Sequence, residues 1–294
     1  MKICFLLVIL GAMQCCLAQS NELIPIKTGR RINIIVSPRI KEIDPAPISF
    51  QLQARWMHLF HKKKMYLVVA GSTEEALTRI QKILKKKKAM IGNIWFDSHG
   101  HFNRRHSLFQ IGRDEYNWES IRDTAFTKSL RKLASYCDVK TKAGIGSCYG
   151  GATYTLPAWD KFPASRMNGD SLMISLSGLL NNVTVYASES FVMSGPGTMN
   201  DRYAFFGYPT KKHLRDVVFK PVWENLGKWN CYSGETKQFG DPGSIALKPD
   251  GTIDVKSKEF MSWRKNKHKQ EVIVKKLKHG TYNLALLWQG NSRY

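Results

Sequence analysis

The sequence predicts an α/β protein with a mostly parallel central sheet. Residues 65–70 and 91–97 are almost uninterrupted apolar runs, as in strands that are covered on both faces. Between these runs, residues 72–87 carry apolar side chains at helical spacing. A strand, a helix and a second strand form a βαβ unit, in which the two strands pair in parallel through a right-handed crossover.

The chain begins with the pattern of an export signal. Lys2 is followed by a short apolar run over residues 3–11, and Ala18 supplies the small residue of a cleavage site. The run is shorter than the about 20 residues that a membrane-spanning helix needs. We therefore expect a cleaved signal peptide over residues 1–18 and a secreted or periplasmic protein, with a lipid anchor on Cys15 or Cys16 as the alternative.

The chain is strongly basic, with a formal net charge of +22 in 294 residues. Its lysines are dispersed in several groups, including Lys62–Lys64, Lys85–Lys88 and a lysine-rich stretch at 256–278. Dispersed lysine favours a solvated surface and loose electrostatic attachment to anionic surfaces. No base-reading motif is present, so sequence-specific nucleic-acid binding is not expected. No later stretch is long and apolar enough for a transmembrane segment.

The elements before the first site motif follow from local signals. Residues 31–36 predict a β-branched strand, and a proline-rich connector follows. Ser72 and Glu75 form a capping box that opens the helix after residues 65–70. Lys85–Lys88 close this helix, and lysines in a last turn suit the helix dipole, which favours a structural role for them over a binding role.

The second half of the chain predicts further alternating elements and a β-rich end. The expected elements are a short strand or hairpin arm (107–111), a crossover helix (119–136), a strand leading into Cys148, a helix (169–180), a strand (182–188), a helix (212–226) and two hairpins (245–255 and 272–288). The resulting organisation is a signal peptide (1–18), an N-terminal extension joining the core (19–60), an α/β domain (61–238) and a small C-terminal antiparallel β-hairpin region (239–294).

Two short motifs predict the site. His99-Gly100 follows the apolar run 91–97, and Cys148 follows a second, weaker run with Gly150 beyond it. If the two runs are successive parallel strands, both residues lie at the carboxyl edge of the sheet, where sites form in open α/β folds. A thiol and an imidazole there are the minimum equipment of a cysteine nucleophile and its proton shuttle. Asp97 is a candidate for orienting His99.

The cysteine count supports a free thiol in the exported chain. Three cysteines remain after the predicted cleavage, so at least one has no partner within the chain. We expect Cys148 to be free, while Cys137 and Cys231 either pair or are buried singly. No cofactor is expected.

A metal site is the alternative at the first motif. His99, His101 and His106 could ligate zinc in a metal-dependent hydrolase. A metallo-β-lactamase-like pattern would need an acid at 103 and a histidine at 104, where this chain has Asn103 and Arg104. Arginine is electrostatically unfavourable in a cation site.

The combined motifs resemble the caspase-like cysteine peptidases, a group that includes caspases, legumain, gingipains and clostripain. The resemblance covers residues 60–210 and is most similar to secreted bacterial members; it is carried by residues 95–100, 108–111, 146–150 and 183–188. It implies a caspase-like three-layer sandwich and a secreted cysteine endopeptidase that acts on protein or peptide substrates. A catalytically inactive member that serves as a binding or adhesion module with a basic surface is the alternative.

The resemblance also implies roles for the matching residues. Cys148 would attack the peptide carbonyl, and His99 would protonate the leaving amine and later activate water. The backbone amides of Gly100 and Cys148 would hold the oxyanion. Ser147 departs from the alanine that is usual before the nucleophile in caspases. Glu189, after the strand at 182–188, is the candidate for selecting a basic substrate side chain.

Overall fold

A computed structural model describes most of the predicted core. The described residues are 29–39, 55, 58–100, 106–158, 163–190, 192–194, 205–206, 221, 225, 228–243 and 245–255. The predicted signal peptide, His101, the helix predicted over 212–226 apart from residues 221 and 225, and the hairpin predicted over 272–288 lie outside these residues.

The described residues form three helices, fifteen strands and two short 3-10 turns. In chain order they are β1 (Arg31–Pro38), β2 (Met65–Ala70), α1 (Thr73–Lys87), β3 (Met90–Phe96), β4 (Leu108–Ile111), β5 (Asp114–Asn117), a 3-10 turn (Ser120–Arg122), α2 (Lys128–Arg131), a 3-10 turn (Ala134–Tyr136), β6 (Lys142–Ile145), β7 (Thr155–Leu156), β8 (Ser165–Arg166), α3 (Gly169–Leu179), β9 (Thr184–Ser188), β10 (Met193–Ser194), β11 (Phe205–Phe206), β12 (Trp229–Ser233), β13 (Gln238–Gly240), β14 (Ile245–Leu247) and β15 (Ile253–Val255).

A seven-stranded sheet forms the centre, in the order β13-β12-β9-β6-β3-β1-β2. The five strands β2, β1, β3, β6 and β9 pair in parallel, whereas β12 and β13 are antiparallel additions at one side. The predicted α/β class with a mostly parallel sheet is therefore confirmed. The strand order reverses between β1 and β3, which is the kind of position where ligands bind in doubly wound sheets.

Helix α1 begins and ends as its sequence predicts. Its N-cap Ser72 accepts a hydrogen bond from the amide of Glu75 at 3.3 Å. The Glu75 carboxylate reaches one residue further back than in a standard capping box and accepts from the amide of Gly71 at 2.9 Å. At the other end, Lys88 adopts a left-handed conformation (φ 48°), and its amide donates to Leu84.

The prediction of one crossover helix over residues 119–136 is wrong. Only the four residues of α2 are α-helical there, flanked by the two 3-10 turns. Asp123 explains the interruption, because its carboxylate accepts hydrogen bonds from the amides of Ala125 (2.8 Å) and Phe126 (3.1 Å). Thr127 Oγ1 also donates to the Asp123 carbonyl at 2.6 Å. Such side-chain bonds compete with helical backbone bonds.

The two faces of the sheet are covered differently. Buried residues of α1, α2, α3, β4 and β5 pack against one face. On the other face, the antiparallel pair β14–β15 packs on Trp95 and Trp229. This pair confirms the hairpin predicted over 245–255. Polar bonds also fix it, since the amide of Ile253 donates to Asn93 Oδ1 at 3.0 Å.

Trp95 lies across two glycines of the neighbouring strand end. A Cβ on Gly144 would come within 2.2 Å of the Trp95 ring, and a Cβ on Gly146 within 2.4 Å of its Nε1. The indole thus occupies the space that side chains at these positions would need, and it covers this face of β6. In the described part of the chain, no helix has the length and apolarity to cross a membrane.

Candidate active site

The register of β3 and β6 brings the two predicted motifs together. Phe96 and Ile145 are partners in the parallel ladder, and His99 and Cys148 are each the third residue beyond them. Because parallel strands emerge at the same sheet edge, the two segments leave the sheet side by side. The predicted placement of His99 and Cys148 at the ends of neighbouring parallel strands is confirmed.

Gly100 lies directly against the backbone of Cys148. A Cβ built on Gly100 would lie 1.7 Å from the Cys148 carbonyl oxygen and 2.9 Å from its amide nitrogen. No side chain fits at that distance, so only glycine allows this approach. The close packing of these two backbones is the strongest link between the motifs.

A tight turn follows Cys148. Tyr149 is buried and has a left-handed backbone (φ 62°), which is unfavourable for a bulky residue. Two backbone hydrogen bonds hold this conformation. The Tyr149 amide donates to the Ser190 carbonyl and the Gly151 amide donates to the Ser188 carbonyl, both at 2.8 Å. Such strain, held by its surroundings, occurs at functional sites.

The Cys148 thiol faces the backbone of Val192. The Val192 amide donates to Cys148 Sγ at 3.3 Å, and Sγ lies 3.7 Å from the Val192 carbonyl oxygen. Burial raises the pKa of the Cys148 thiol, while the amides of Val192 and of Cys148 itself partly oppose the rise. The thiol is therefore neutral at physiological pH, and it needs a base to become a nucleophile.

Two serines tie both site segments to β4. Ser147 Oγ donates to the Leu108 carbonyl at 2.5 Å, and Ser98 Oγ accepts from the Gln110 amide at 3.0 Å. Each serine directly precedes a candidate catalytic residue. The serine at position 147, where caspases usually carry alanine, thus has a local role in fixing the turn.

Asp97 lies at the end of β3 with its carboxylate turned towards β1. The side chain is buried and accepts a hydrogen bond from Ser37 Oγ at 2.7 Å, while its amide donates to Val36 at 2.8 Å. Burial raises the pKa of Asp97 to about 7, against the opposing effect of the Ser37 hydroxyl.

Comparison of the chain with known protein families, with curated proteins and with solved structures finds no match. The chemistry of the site therefore has to be inferred from the arrangement of its own residues.

Glu189 directly follows β9, between Ser188 and Ser190, whose carbonyls accept hydrogen bonds from the turn after Cys148. The Glu189 amide donates to the Lys228 backbone carbonyl at 3.0 Å, and the Glu189 carbonyl accepts from the hydroxyl of Tyr154 at 2.8 Å. Burial raises the pKa of Tyr154, and the charges of Glu189 and Cys148 raise it further. The Tyr154 hydroxyl thus lies at the backbone of Glu189, a position that sequence reasoning missed because no motif marks it.

The residues of the zinc alternative do not gather in the described chain. His106 Nε2 lies 3.5 Å from Glu115 Oε1, and His101 falls outside the described residues. Within the described ranges, no three His, Cys, Asp or Glu side chains are placed to hold a metal ion.

All three cysteines of the described chain are free. Cys137 is buried and Cys231 is half-buried, and burial raises the pKa of both thiols. The sequence left open whether Cys137 and Cys231 form a disulfide or stay unbridged, and in the structure they form no disulfide. Cys148 is free, as predicted, and is the one that lies at the carboxyl edge of the sheet.

Proposed function

We propose that this protein is a secreted cysteine endopeptidase of caspase-like fold, with Cys148 as nucleophile and His99 as its base. The observation that carries the proposal is the packing of Gly100 against Cys148, which brings the imidazole-bearing segment to the thiol-bearing turn. The parallel order of the five central strands supports the fold. The strained turn at Tyr149 supports a functional position for the residue before it.

The reaction begins with a neutral thiol. Because burial raises the pKa of Cys148, His99 has to take the proton as Sγ attacks the peptide carbonyl. The tetrahedral oxyanion is held by the amides of Gly100 and Cys148. Collapse of this intermediate breaks the C–N bond, and the imidazolium of His99 gives its proton to the leaving amine.

Hydrolysis of the acyl-enzyme completes the cycle. His99 removes a proton from water, and the resulting hydroxide attacks the thioester carbonyl. The C–S bond then breaks, and the Cys148 sulfur takes the proton back from His99. The Val192 amide, which donates to Sγ at 3.3 Å, stabilises the negative charge that develops on the sulfur when its proton moves to His99 and when the C–S bond breaks.

Substrate selection is assigned to the end of β9. Glu189 provides a carboxylate there, and its backbone is fixed from both sides by Tyr154 and Lys228. A carboxylate at this place favours a basic side chain next to the cleaved bond. The cleavage of lysine- or arginine-containing peptides, compared with aspartate-containing ones, tests the assignment.

Alkylation of the native protein tests the dyad. We expect iodoacetamide at pH 7 to modify Cys148 stoichiometrically, as seen by peptide mapping, and to modify it much more slowly in His99→Ala. His106→Ala is the matched control, because it removes another half-buried imidazole and should leave the rate unchanged. A Cys148 that stays unmodified under native conditions excludes the peptidase and favours a binding module.

Peptide hydrolysis gives the second test. A mixed peptide library should be cleaved by the wild type and not by Cys148→Ala. Hydrolysis that survives Cys148→Ser and is abolished by a chelator would instead support the metal-dependent alternative.

A further inference from the structure

The edge of the sheet opposite the candidate site is strongly basic. The amino ends of β1, β2 and β3 lie there, because these strands are parallel and His99 follows their carboxyl ends. Of the exposed cations that the structure describes at these amino ends, Lys64 lies beside Asp250. The other six are called the basic edge here: Arg30, Lys62, Lys63, Lys85, Lys86 and Lys88.

Direct contacts join the parts of the basic edge into one surface. Arg30 Nη2 donates to the Lys63 carbonyl at 3.4 Å, and the Arg30 carbonyl accepts from Met90 at 3.0 Å. Lys87, in the last turn of α1, places its Nζ 5.7 Å from the centre of the Tyr66 ring on β2. The lysines before β2 and those that end α1 are therefore neighbours.

Among the described residues, two acidic groups near the basic edge have cationic partners of their own. Asp138 pairs with Arg31 at the start of β1, and Asp250 lies 3.9 Å from Lys64. Glu74 and Glu75 lie in the first turn of α1, at the other end of that helix. The six cations of the basic edge thus present a net positive surface.

An exposed apolar pair lies beside these lysines. Leu59 is 50% exposed and Phe60 is 68% exposed. Phe60 stands two positions before Lys62 in the sequence. Their segment is anchored to the same surface, since His58 Nδ1 lies 2.8 Å from the Met65 carbonyl and its ring lies 5.8 Å from the Tyr66 ring. Apolar side chains flanked by lysines are typical of surfaces that enter a membrane interface.

The helix dipole accounts for only part of this arrangement. It favours lysines in the last turn of α1. It gives no reason for Arg30, Lys62 and Lys63, which belong to other segments, and none for the exposure of Phe60.

We propose that the basic edge, together with Leu59 and Phe60, docks on an anionic lipid bilayer. The cations bind acidic headgroups, and the two apolar side chains insert at the level of the acyl chains. A soluble polyanion would satisfy the cations equally well but offers nothing to Leu59 and Phe60, which is why the bilayer is the better fit. Docked in this way, the protein holds Cys148 at the edge that faces the solvent. The proposal does not depend on peptidase activity.

Vesicle sedimentation tests the charge requirement. We expect the purified protein to bind vesicles of phosphatidylcholine with phosphatidylglycerol, and to bind pure phosphatidylcholine vesicles far more weakly. Each lysine near an anionic surface contributes roughly five-fold in partitioning, so K63Q/K85Q/K86Q should weaken binding on the order of 100-fold. The matched control is R113Q/R122Q/K228Q, which removes three exposed cations outside the basic edge. Equal loss in both variants overturns the docking site.

The apolar pair decides between a bilayer and a soluble polyanion. L59S/F60S should reduce vesicle binding about ten-fold or more, at low and at high salt, while leaving binding to heparin or duplex DNA unchanged. Circular dichroism checks that each variant is folded. Vesicle binding that is unchanged in L59S/F60S overturns the membrane assignment and identifies the basic edge as a polyanion site.

Discussion

Asp97 accepts a hydrogen bond of 2.7 Å from Ser37, and the bond joins the carboxyl ends of β3 and β1. These are the strands between which the order of the sheet reverses. The carboxyl group is buried two residues before His99, and its pKa of about 7 places its titration in the physiological range. A change of its charge therefore affects both the core and the start of the segment that carries His99.

The stability of the protein should fall as the pH rises from about 4 to about 7. In this window the unfolded state has already lost the Asp97 proton, while the folded state keeps it because burial raises the pKa to about 7. Folding therefore binds a proton, and the free energy of unfolding decreases by up to about 1.4 kcal/mol for each pH unit. Urea unfolding at several pH values measures the effect.

Asp97→Asn should remove this dependence, because the amide does not titrate. The difference in unfolding free energy between wild type and D97N isolates the contribution of this group from that of all other carboxylates. A difference that stays constant from pH 4 to pH 8 would show that Asp97 titrates normally.

Gly100→Ala should abolish proper assembly of the site. The added Cβ would lie 1.7 Å from the Cys148 carbonyl oxygen, so the His99 segment has to move. We expect a loss of about 1–3 kcal/mol in stability and a much slower alkylation of Cys148. Gly178→Ala is the matched control: it lies within α3 with no atom within 4 Å of its added Cβ, and it should stabilise the protein by about 0.5–1 kcal/mol. Normal Cys148 reactivity in G100A would contradict the proposed contact.

The pH dependence of alkylation should separate coupled from isolated thiol chemistry. Burial raises the pKa of Cys148, so in His99→Ala the thiol gains reactivity only as the pH rises towards and beyond the ordinary thiol value of 9.0. If His99 is the base, as proposed, it removes the proton during attack in the wild type, and the reaction should proceed near pH 7. Iodoacetamide rates between pH 6 and pH 10 measure both curves. Superimposed curves would show that His99 is not the base.

Lys88→Gly should stabilise the protein. Lys88 ends α1 with a φ of 48°, a conformation that costs a side-chain-bearing residue about 1 kcal/mol and glycine almost nothing. We expect a gain of up to about 1 kcal/mol in urea unfolding. Lys86→Gly removes the same charge from a position in the last turn that has helical backbone, and it should destabilise the protein by up to about 1 kcal/mol. A loss of stability in K88G would mean that the contacts of the Lys88 side chain stabilise the folded protein by more than the left-handed backbone destabilises it.

Local signals made much of the sheet predictable. The apolar runs at β2 and β3 and the capping residue Ser72 each act within a few residues, so the first βαβ unit could be read from the sequence. The same is true of His99 and Cys148, because a strand end marks each of them. The helix prediction for residues 119–136 was wrong because the Asp123 carboxylate accepts hydrogen bonds from nearby backbone amides. The spacing of apolar residues does not reveal such bonds.

Long-range contacts were not predictable in the same way. Ser147 reaches Leu108 and Tyr154 reaches the Glu189 carbonyl across 39 and 35 residues of sequence, respectively. Asp97 was expected to orient His99, but its carboxylate accepts from Ser37 on β1, a neighbour that only the strand order brings close. These partners depend on tertiary packing, which no single motif encodes.

The indole of Trp95 gives the candidate site an optical reporter of its own. It lies against Gly144 and Gly146 on the strand that ends before Cys148, so a shift of that strand end alters the surroundings of a fully buried fluorophore. Trp229, whose ring centre lies 6.2 Å away, shares this environment. Chemical modification of Cys148 is therefore expected to change the intrinsic fluorescence emission, and the difference between wild type and Trp95→Phe assigns the signal.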